Sequence, residues 1–150
     1  MVAAVEGSPL AAWVGESALV YPIANTAHVL GAIMVVGAIG VVDLRVLGYG
    51  RELPTQRLWS ALTPIALAGF ALMVISGVLL FVADARALAG SQIFLAKLGL
   101  IVLAGLNALA FRIGWHRLDE PPPVSAKVLA ALSLGLWVSV VITGRLIAYF

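Results

Sequence analysis

Four long apolar segments constrain the fold of this chain more than any other feature. They fall near residues 21–47, 62–83, 93–113 and 127–148. A helix needs about 20 residues to cross about 30 Å of hydrocarbon. Only helices and closed barrels satisfy every backbone polar group in lipid, and these continuous runs lack the alternation of barrel strands. The segments predict an all-α fold: an integral membrane four-helix bundle that forms one domain over residues 1–150.

The composition agrees with a lipid environment. Hydrophobic residues make up 63% of the chain and charged residues 11%, whereas soluble domains are about half apolar and a quarter charged. The net charge of +2 and the scattered basic residues argue against nucleic acid as a partner. The absence of cysteine excludes disulfides and thiolate metal sites.

A short helix is expected ahead of the first span, over about residues 9–19. Ser8 is a good N-cap and Pro9 suits the first helical position. Trp13 beside a short apolar face indicates a helix that lies in the membrane interface. Because no Lys or Arg precedes the first span, we expect no cleavable signal peptide and a retained first crossing.

The basic residues predict the orientation of the bundle. The first and third connections carry most of them: Arg45, Arg51, Arg57, Arg112, Arg117 and Lys127. The second connection holds only Arg86. Cytoplasmic connections carry the excess of Lys and Arg, so we expect both termini on the periplasmic side.

Polar residues near the outer ends of the spans are the candidate binding residues: Asn25, His28, Lys97 and Arg145. Asn25 and His28 are three residues apart and are expected to share a helix face. His28 could contact haem b or a quinone, with Lys97 or Arg145 near haem propionates. It could instead form a structural hydrogen bond to Ser76, Asn25 or a backbone carbonyl. A proton or solute path is the third interpretation, and Lys97 and Arg145 could also snorkel to the interface.

The two histidines of the chain, His28 and His116, lie at depths too different for them to bind one haem together. His28 lies about 8 Å from its span centre towards the outside, and His116 lies about 20 Å from its own towards the inside, at 1.5 Å per residue. A zinc or copper site would need further ligands that the sequence does not supply at this level. No catalytic triad, phosphate loop or paired-carboxylate motif is present, so we predict no catalytic and no metal-binding residues.

Near the inner ends, four residues are expected to form structural polar contacts: Asp43, Arg45, Asn107 and Arg112. Asp43 and Arg45 are two apart and do not face each other along one helix. Arg112 is therefore the expected partner of Asp43. Asn107 must find partners in lipid and is expected to reach the first or second span.

Four stretches carry a resemblance to a known family: "YPIANTAHVLG", "VVDLRVLG", "FLAKLGLIVLAGLNALAF" and "LWVSVVITGRLIAYF". Together they resemble an uncharacterised family, a domain of unknown function, of small four-helix bacterial inner-membrane proteins. Through the H-x-x-G of the first span, the chain is more loosely similar to membrane domains of the copper-resistance D type. The resemblance implies a multi-pass protein of the bacterial inner membrane, and it implies no established activity.

The sequence therefore favours a non-enzymatic integral membrane protein that acts as a subunit or accessory of a membrane complex. The bilayer is one expected partner, and a second copy or a larger complex is another. No cofactor is expected in this interpretation. The alternative is an electron-transfer module with haem b or quinone at His28, and the third is small-solute or proton transport.

Overall fold

The computed structural model describes residues 5–115 and 121–149. Within these residues the chain is helical, without strands, which confirms the all-α prediction. The helices are α1 Pro9–Glu16, α2 Val20–Leu47, α3 Thr55–Ala83, α4 Ala85–Gly90, α5 Gln92–Gly114 and α6 Val124–Leu146. α2, α3, α5 and α6 are long and apolar enough to cross a membrane.

The ends of several helices differ from the sequence-based expectation. α3 begins at Thr55, after Pro54 at its N-cap, and continues through Pro64. Its first two turns contain polar residues, so hydropathy alone placed its start too late. α1 ends at Glu16, and the six-residue α4 was not predicted. α6 begins at Val124, after Pro123 at its N-cap, and so before the predicted start of the fourth span near residue 127.

The long helices pack as an incomplete ring. α2 packs against both α3 and α6, and α5 packs against α6. Among the described residues, the backbones of α3 and α5 do not approach each other closely. Aromatic side chains join these two helices near both ends: Phe81 stacks on Phe94 at 5.6 Å, and Trp59 contacts Phe111 at 5.0 Å between ring centroids. α3 and α5 are therefore tied at their ends and separated between them.

Two glycines bring α2 and α3 together. A Cβ added to Gly31 would lie 2.7 Å from the carbonyl oxygen of Gly69, and one added to Gly69 would lie 2.8 Å from that of Gly31. Small residues allow this kind of close backbone approach in membranes. Four other glycines within the spans have no such neighbour within 4 Å: Gly37, Gly99, Gly105 and Gly135.

The apolar core consists of two clusters at different depths. The first contains Val35, Met73, Ala104, Trp137 and Val140. The second, near the connection between α2 and α3, contains Val46, Phe111, Ala126 and Ala130. Trp137, near the middle of α6, is buried in the first cluster. We call the end of the bundle at residues 48–54 the inner end and the end at α4 the outer end.

Candidate functional site

His28 lies in the outer half of the bundle and contacts two other helices. Its Nδ1 is 3.1 Å from Ser76 Oγ of α3, and its Nε2 is 3.4 Å from Lys97 Nζ of α5. Ser76 is buried, and His28 and Lys97 are half-buried. We call these three residues the outer cluster. The contact with Ser76 is one of the structural hydrogen bonds expected for His28.

The hydrogen bonds of the outer cluster run in one direction. Ser76 Oγ is 2.6 Å from the carbonyl oxygen of Leu72, so its hydroxyl donates there. Ser76 Oγ must then accept from His28, which places the ring proton on Nδ1. Nε2 is left as an acceptor, and the Lys97 ammonium donates to it. Both ring nitrogens of His28 and the hydroxyl of Ser76 thus have hydrogen-bond partners of the complementary type.

Two glycines leave room for the outer cluster. A Cβ on Gly77 would lie 3.1 Å from His28 Cε1, and one on Gly144 would lie 3.3 Å from Lys97 Nζ. Gly77 follows Ser76 on α3, and Gly144 lies on α6. The imidazole and the ammonium therefore occupy space that a larger residue at either position would take.

For Lys97 the sequence left two interpretations open, a place in a site near His28 and snorkelling to the interface. In the structure its side chain turns towards His28 and Gly144. The sequence contained the signal for this arrangement, because Gly144 and His28 both lie near the outer level. Which faces of their helices they occupy was not evident from the sequence.

The other two outer candidates do not join the outer cluster. The Asn25 side chain is exposed, because Ala24, His28, Gly31 and Val35 form the inward face of α2 and Asn25 falls beside that face. The expected polar patch of Asn25 and His28 is therefore absent. Arg145 is also exposed and its guanidinium donates to Tyr149 Oη at 3.1 Å, with its Cζ 5.3 Å from the ring centroid.

The occupied ring nitrogens limit how His28 could bind a cofactor. To ligate haem iron through Nε2, His28 would have to release Lys97. To donate from Nδ1 to a quinone oxygen, it would have to release Ser76. The outer cluster therefore fits a closed hydrogen-bonded set better than a vacant ligand position. His116 and Arg117 lie outside the described residues.

At the inner end, Arg45 supports the connection between α2 and α3. It is 4% exposed, and its guanidinium donates to the carbonyl oxygens of Leu53 at 2.6 Å and Arg51 at 3.2 Å. Gly48, with φ of +113°, ends α2 in the left-handed conformation that favours glycine. Arg45 thus fixes residues 48–54 rather than facing Asp43.

Arg112 does not contact Asp43. Its side chain is exposed, and Asp43 Oδ2 has no hydrogen-bond partner. The expected ion pair is therefore absent, since Asp43 faces the bundle interior whereas Arg112 faces outwards. The Asp43 side chain instead lines a cavity that it shares with Ser133 of α6.

Asn107 also bonds to a different helix from the one expected. Its Nδ2 donates to the carbonyl oxygen of Leu129 on α6 at 3.1 Å, whereas the sequence pointed to the first or second span. This bond fixes the orientation of the amide, because only the nitrogen can donate to a carbonyl. Asn107 Oδ1 is buried without a hydrogen-bond partner.

Asp43, Asn107 and Ser133 line a cavity of about 180 Å³, which we call the inner cavity. It lies between α2, α3, α5 and α6, in the inner half of the bundle. Most of its remaining wall is apolar, and it includes Trp59 and Phe111. The sequence identified Asp43 and Asn107 as polar residues, but it revealed neither the cavity nor the place of Ser133 in its wall. A serine in a span is a weak signal unless its neighbours are known.

No group of three or more His, Cys, Asp or Glu residues that could hold a metal ion occurs among the described residues. Comparisons with protein-family models, with curated proteins and with solved structures gave no match. Function must therefore be inferred from the geometry of the outer cluster and the inner cavity.

Proposed function

We propose that this chain is a non-enzymatic protein of the bacterial inner membrane that acts as a subunit or accessory of a membrane assembly. Four helices long enough to span a bilayer support a multi-pass membrane protein. The observation that carries the proposal is the outer cluster, in which both ring nitrogens of His28 bond to side chains of the same chain. His28 in this proposal joins α2, α3 and α5. Membership of the uncharacterised four-helix family is part of the same proposal.

The weak burial of α5 supports an assembly role. In the most apolar 18-residue stretch of α5, only 11% is buried within the chain, compared with 33% for the corresponding stretch of α2. Leu106 and Val102 of α5 are 57% and 61% exposed. No atom lies within 4 Å of the position that a Cβ would take on Gly99 or Gly105. Glycine permits close helix contact in lipid. The connections between the described spans are short, so a partner would meet this chain mainly within the membrane.

Single cysteines test this assembly directly, because the natural chain has none. Leu106→Cys on α5 is expected to form an oxidative cross-link in native membranes, to a second copy or to another subunit. Ile75→Cys on α3, where Ile75 is 64% exposed, is the matched control and is expected to cross-link less. Equal cross-linking at both positions, or none at Leu106→Cys, would contradict α5 as the assembly face.

The absorption spectrum separates the structural role of His28 from haem binding. Protein purified in a mild detergent is expected to show no Soret band, and its lipid extract no stoichiometric quinone. A Soret band that is lost in His28→Ala but kept in Asn25→Ala would overturn the structural role and favour the electron-transfer alternative.

Orientation has its own test. We propose that residues 48–54 face the cytoplasm and α4 the periplasm. A membrane-impermeant thiol reagent is expected to label Ala87→Cys in intact spheroplasts and Glu52→Cys only after permeabilisation. Labelling of Glu52→Cys in intact spheroplasts would reverse the topology.

A further inference from the structure

The inner cavity contains two hydrogen-bond acceptors that lack donors. Asp43 Oδ2 and Asn107 Oδ1 have no hydrogen-bond partner, and the two residues are 6% and 8% exposed. Buried polar atoms are normally paired, because leaving them unpaired costs free energy that rises in a medium without water. Both residues line the same cavity. A ligand that pairs with the ionised Asp43 carboxylate and with Asn107 Oδ1 must therefore supply hydrogen-bond donors.

The carboxyl group of Asp43 restricts the chemical class of the ligand further. The other polar side chain of α6 in the cavity wall, Ser133, is uncharged, and the Arg112 side chain is exposed. No described residue forms an ion pair with Asp43; the ion pair seen in the described part of the chain joins Arg86 to Glu6. Ionising a buried carboxyl costs desolvation free energy, and a cation bound beside it offsets that cost whereas a neutral molecule does not. The site therefore favours a cation over a neutral molecule.

The remaining walls favour an organic cation over a metal ion. Apart from its few polar groups, the inner cavity is lined by aliphatic and aromatic side chains, among them Ile39, Leu62, Trp59 and Phe111. Hard metal ions require several oxygen ligands, and these walls supply few. An ammonium group, by contrast, donates up to three hydrogen bonds, and aromatic rings interact favourably with cations.

The size of the cavity sets the size of the apolar group. Its volume is about 180 Å³, and an engineered apolar cavity of about 150 Å³ binds benzene. A phenyl ring or a short alkyl group attached to an ammonium is therefore an appropriate size. Leu67 of α3 and Ala108 of α5, both exposed, also line the cavity, at the gap between these two helices.

We propose that the inner cavity is a binding site for a primary ammonium that carries a small apolar group. The ammonium donates to Asp43 Oδ2 and Asn107 Oδ1, and the apolar group lies against the wall that includes Trp59 and Phe111. The ammonium belongs either to a free amine or to the ethanolamine headgroup of a lipid, in which the two methylenes next to the ammonium serve as the apolar group. This ligand site is independent of the assembly role proposed above.

Benzylammonium is the probe, measured with the purified full chain in phosphatidylcholine nanodiscs by ligand-observed NMR or calorimetry. The natural chain is expected to bind it saturably. Asp43→Asn is expected to weaken binding by about tenfold or more, because a charge-assisted hydrogen bond is lost. Asp84→Asn removes a carboxylate at the outer end and is the matched control, with binding unchanged. Benzyl alcohol, a neutral molecule of similar size, is expected to bind more weakly than benzylammonium.

A second variant tests the cavity without altering its charge. Ala66→Leu adds volume to the wall of the inner cavity and is expected to reduce binding while Asp43 remains intact. Equal affinity of the natural chain and Asp43→Asn would overturn the proposal. Tighter binding of benzyl alcohol than of benzylammonium, or no saturable binding of benzylammonium, would overturn it as well.

The two sources of ammonium are distinguished by the lipid. If the natural ligand is a headgroup, nanodiscs with phosphatidylethanolamine will suppress benzylammonium binding relative to phosphatidylcholine alone. Unchanged binding in both lipids would assign the site to a free amine. Either result supports an ammonium site, because both depend on the Asp43→Asn difference.

Discussion

The outer cluster and the inner cavity are both sets of polar residues within the membrane-spanning helices, and they differ in how their hydrogen bonds are completed. In the outer cluster, Lys97 donates to His28, His28 to Ser76, and Ser76 to a backbone carbonyl. In the inner cavity, Asp43 and Asn107 each retain an unpaired acceptor. A complete set joins helices, whereas an incomplete set beside a cavity has the chemistry of a binding site. Polar residues in spans thus cannot be assigned a role by residue type alone.

The largest expected effect comes from separating α2 and α3, on which the outer cluster depends. Gly31→Ala places a Cβ against the Gly69 carbonyl, where the backbone cannot yield easily. We expect a loss of about 2–3 kcal/mol in the free energy of unfolding, in the range of overpacked cores. Unfolding in mixed micelles measures it. Gly37→Ala, on the same helix with no such neighbour within 4 Å, is the control and should change little.

A smaller effect is expected when the space for the imidazole is filled. Gly77→Ala brings a methyl group to 3.1 Å from His28 Cε1, and hydrogen bonds on both sides of the ring oppose its movement. We expect a loss of about 1–2 kcal/mol in the free energy of unfolding. Gly135→Ala on α6 meets nothing within 4 Å. Similar losses for Gly77→Ala and Gly135→Ala would show that the tight fit around His28 does not contribute to the free energy of unfolding.

Removing one acceptor from the outer cluster should cost less again. Ser76→Ala leaves the Nδ1 proton of His28 without its partner. Hydrogen bonds between membrane helices are worth about 0.6 kcal/mol on average and up to about 1.7, so a loss near 1 kcal/mol in the free energy of unfolding is expected. Ser139→Ala removes a hydroxyl that bonds within α6. If Ser139→Ala were as destabilising, the bond to His28 would carry no special weight.

The smallest effect is expected at the inner cavity. Asp43→Asn removes the charge of a buried carboxylate that has no cationic partner. Replacing a buried charge of this kind is often neutral or stabilising, so we expect the free energy of unfolding to stay within about 0.5 kcal/mol of the natural value or to rise. A large loss of stability in Asp43→Asn, measured in the same micelles as Ser76→Ala, would remove the distinction between the two regions.

The sequence predicted where the helices lie along the chain, but it did not predict which face of each helix points into the bundle. Hydropathy is a property of each segment, so the four spans were predictable without knowledge of their neighbours. The side on which a residue lies depends on packing between segments that are distant along the chain. For this reason Asn25, three residues from His28, was wrongly grouped with it, and Arg112 was wrongly paired with Asp43.

The His28 contact shows where such reasoning succeeds. Ser76 was among the expected partners because it lies at the same depth on the next antiparallel helix. For Lys97 snorkelling stayed open as an alternative, since nothing in its own segment indicated whether the side chain turns inwards. The unpaired oxygens of Asp43 and Asn107 were not predictable at all, because an unpaired atom is defined by what surrounds it in three dimensions.

The separation between α3 and α5 has a consequence for how the inner cavity would be reached. Aromatic pairs tie these helices near both ends, so the gap between them faces sideways along the plane of the bilayer. A molecule entering by this route must first dissolve in the membrane. Its local concentration is then set by its partition coefficient and by the amount of lipid, and occupancy at a fixed aqueous concentration rises with the hydrophobicity of the ligand.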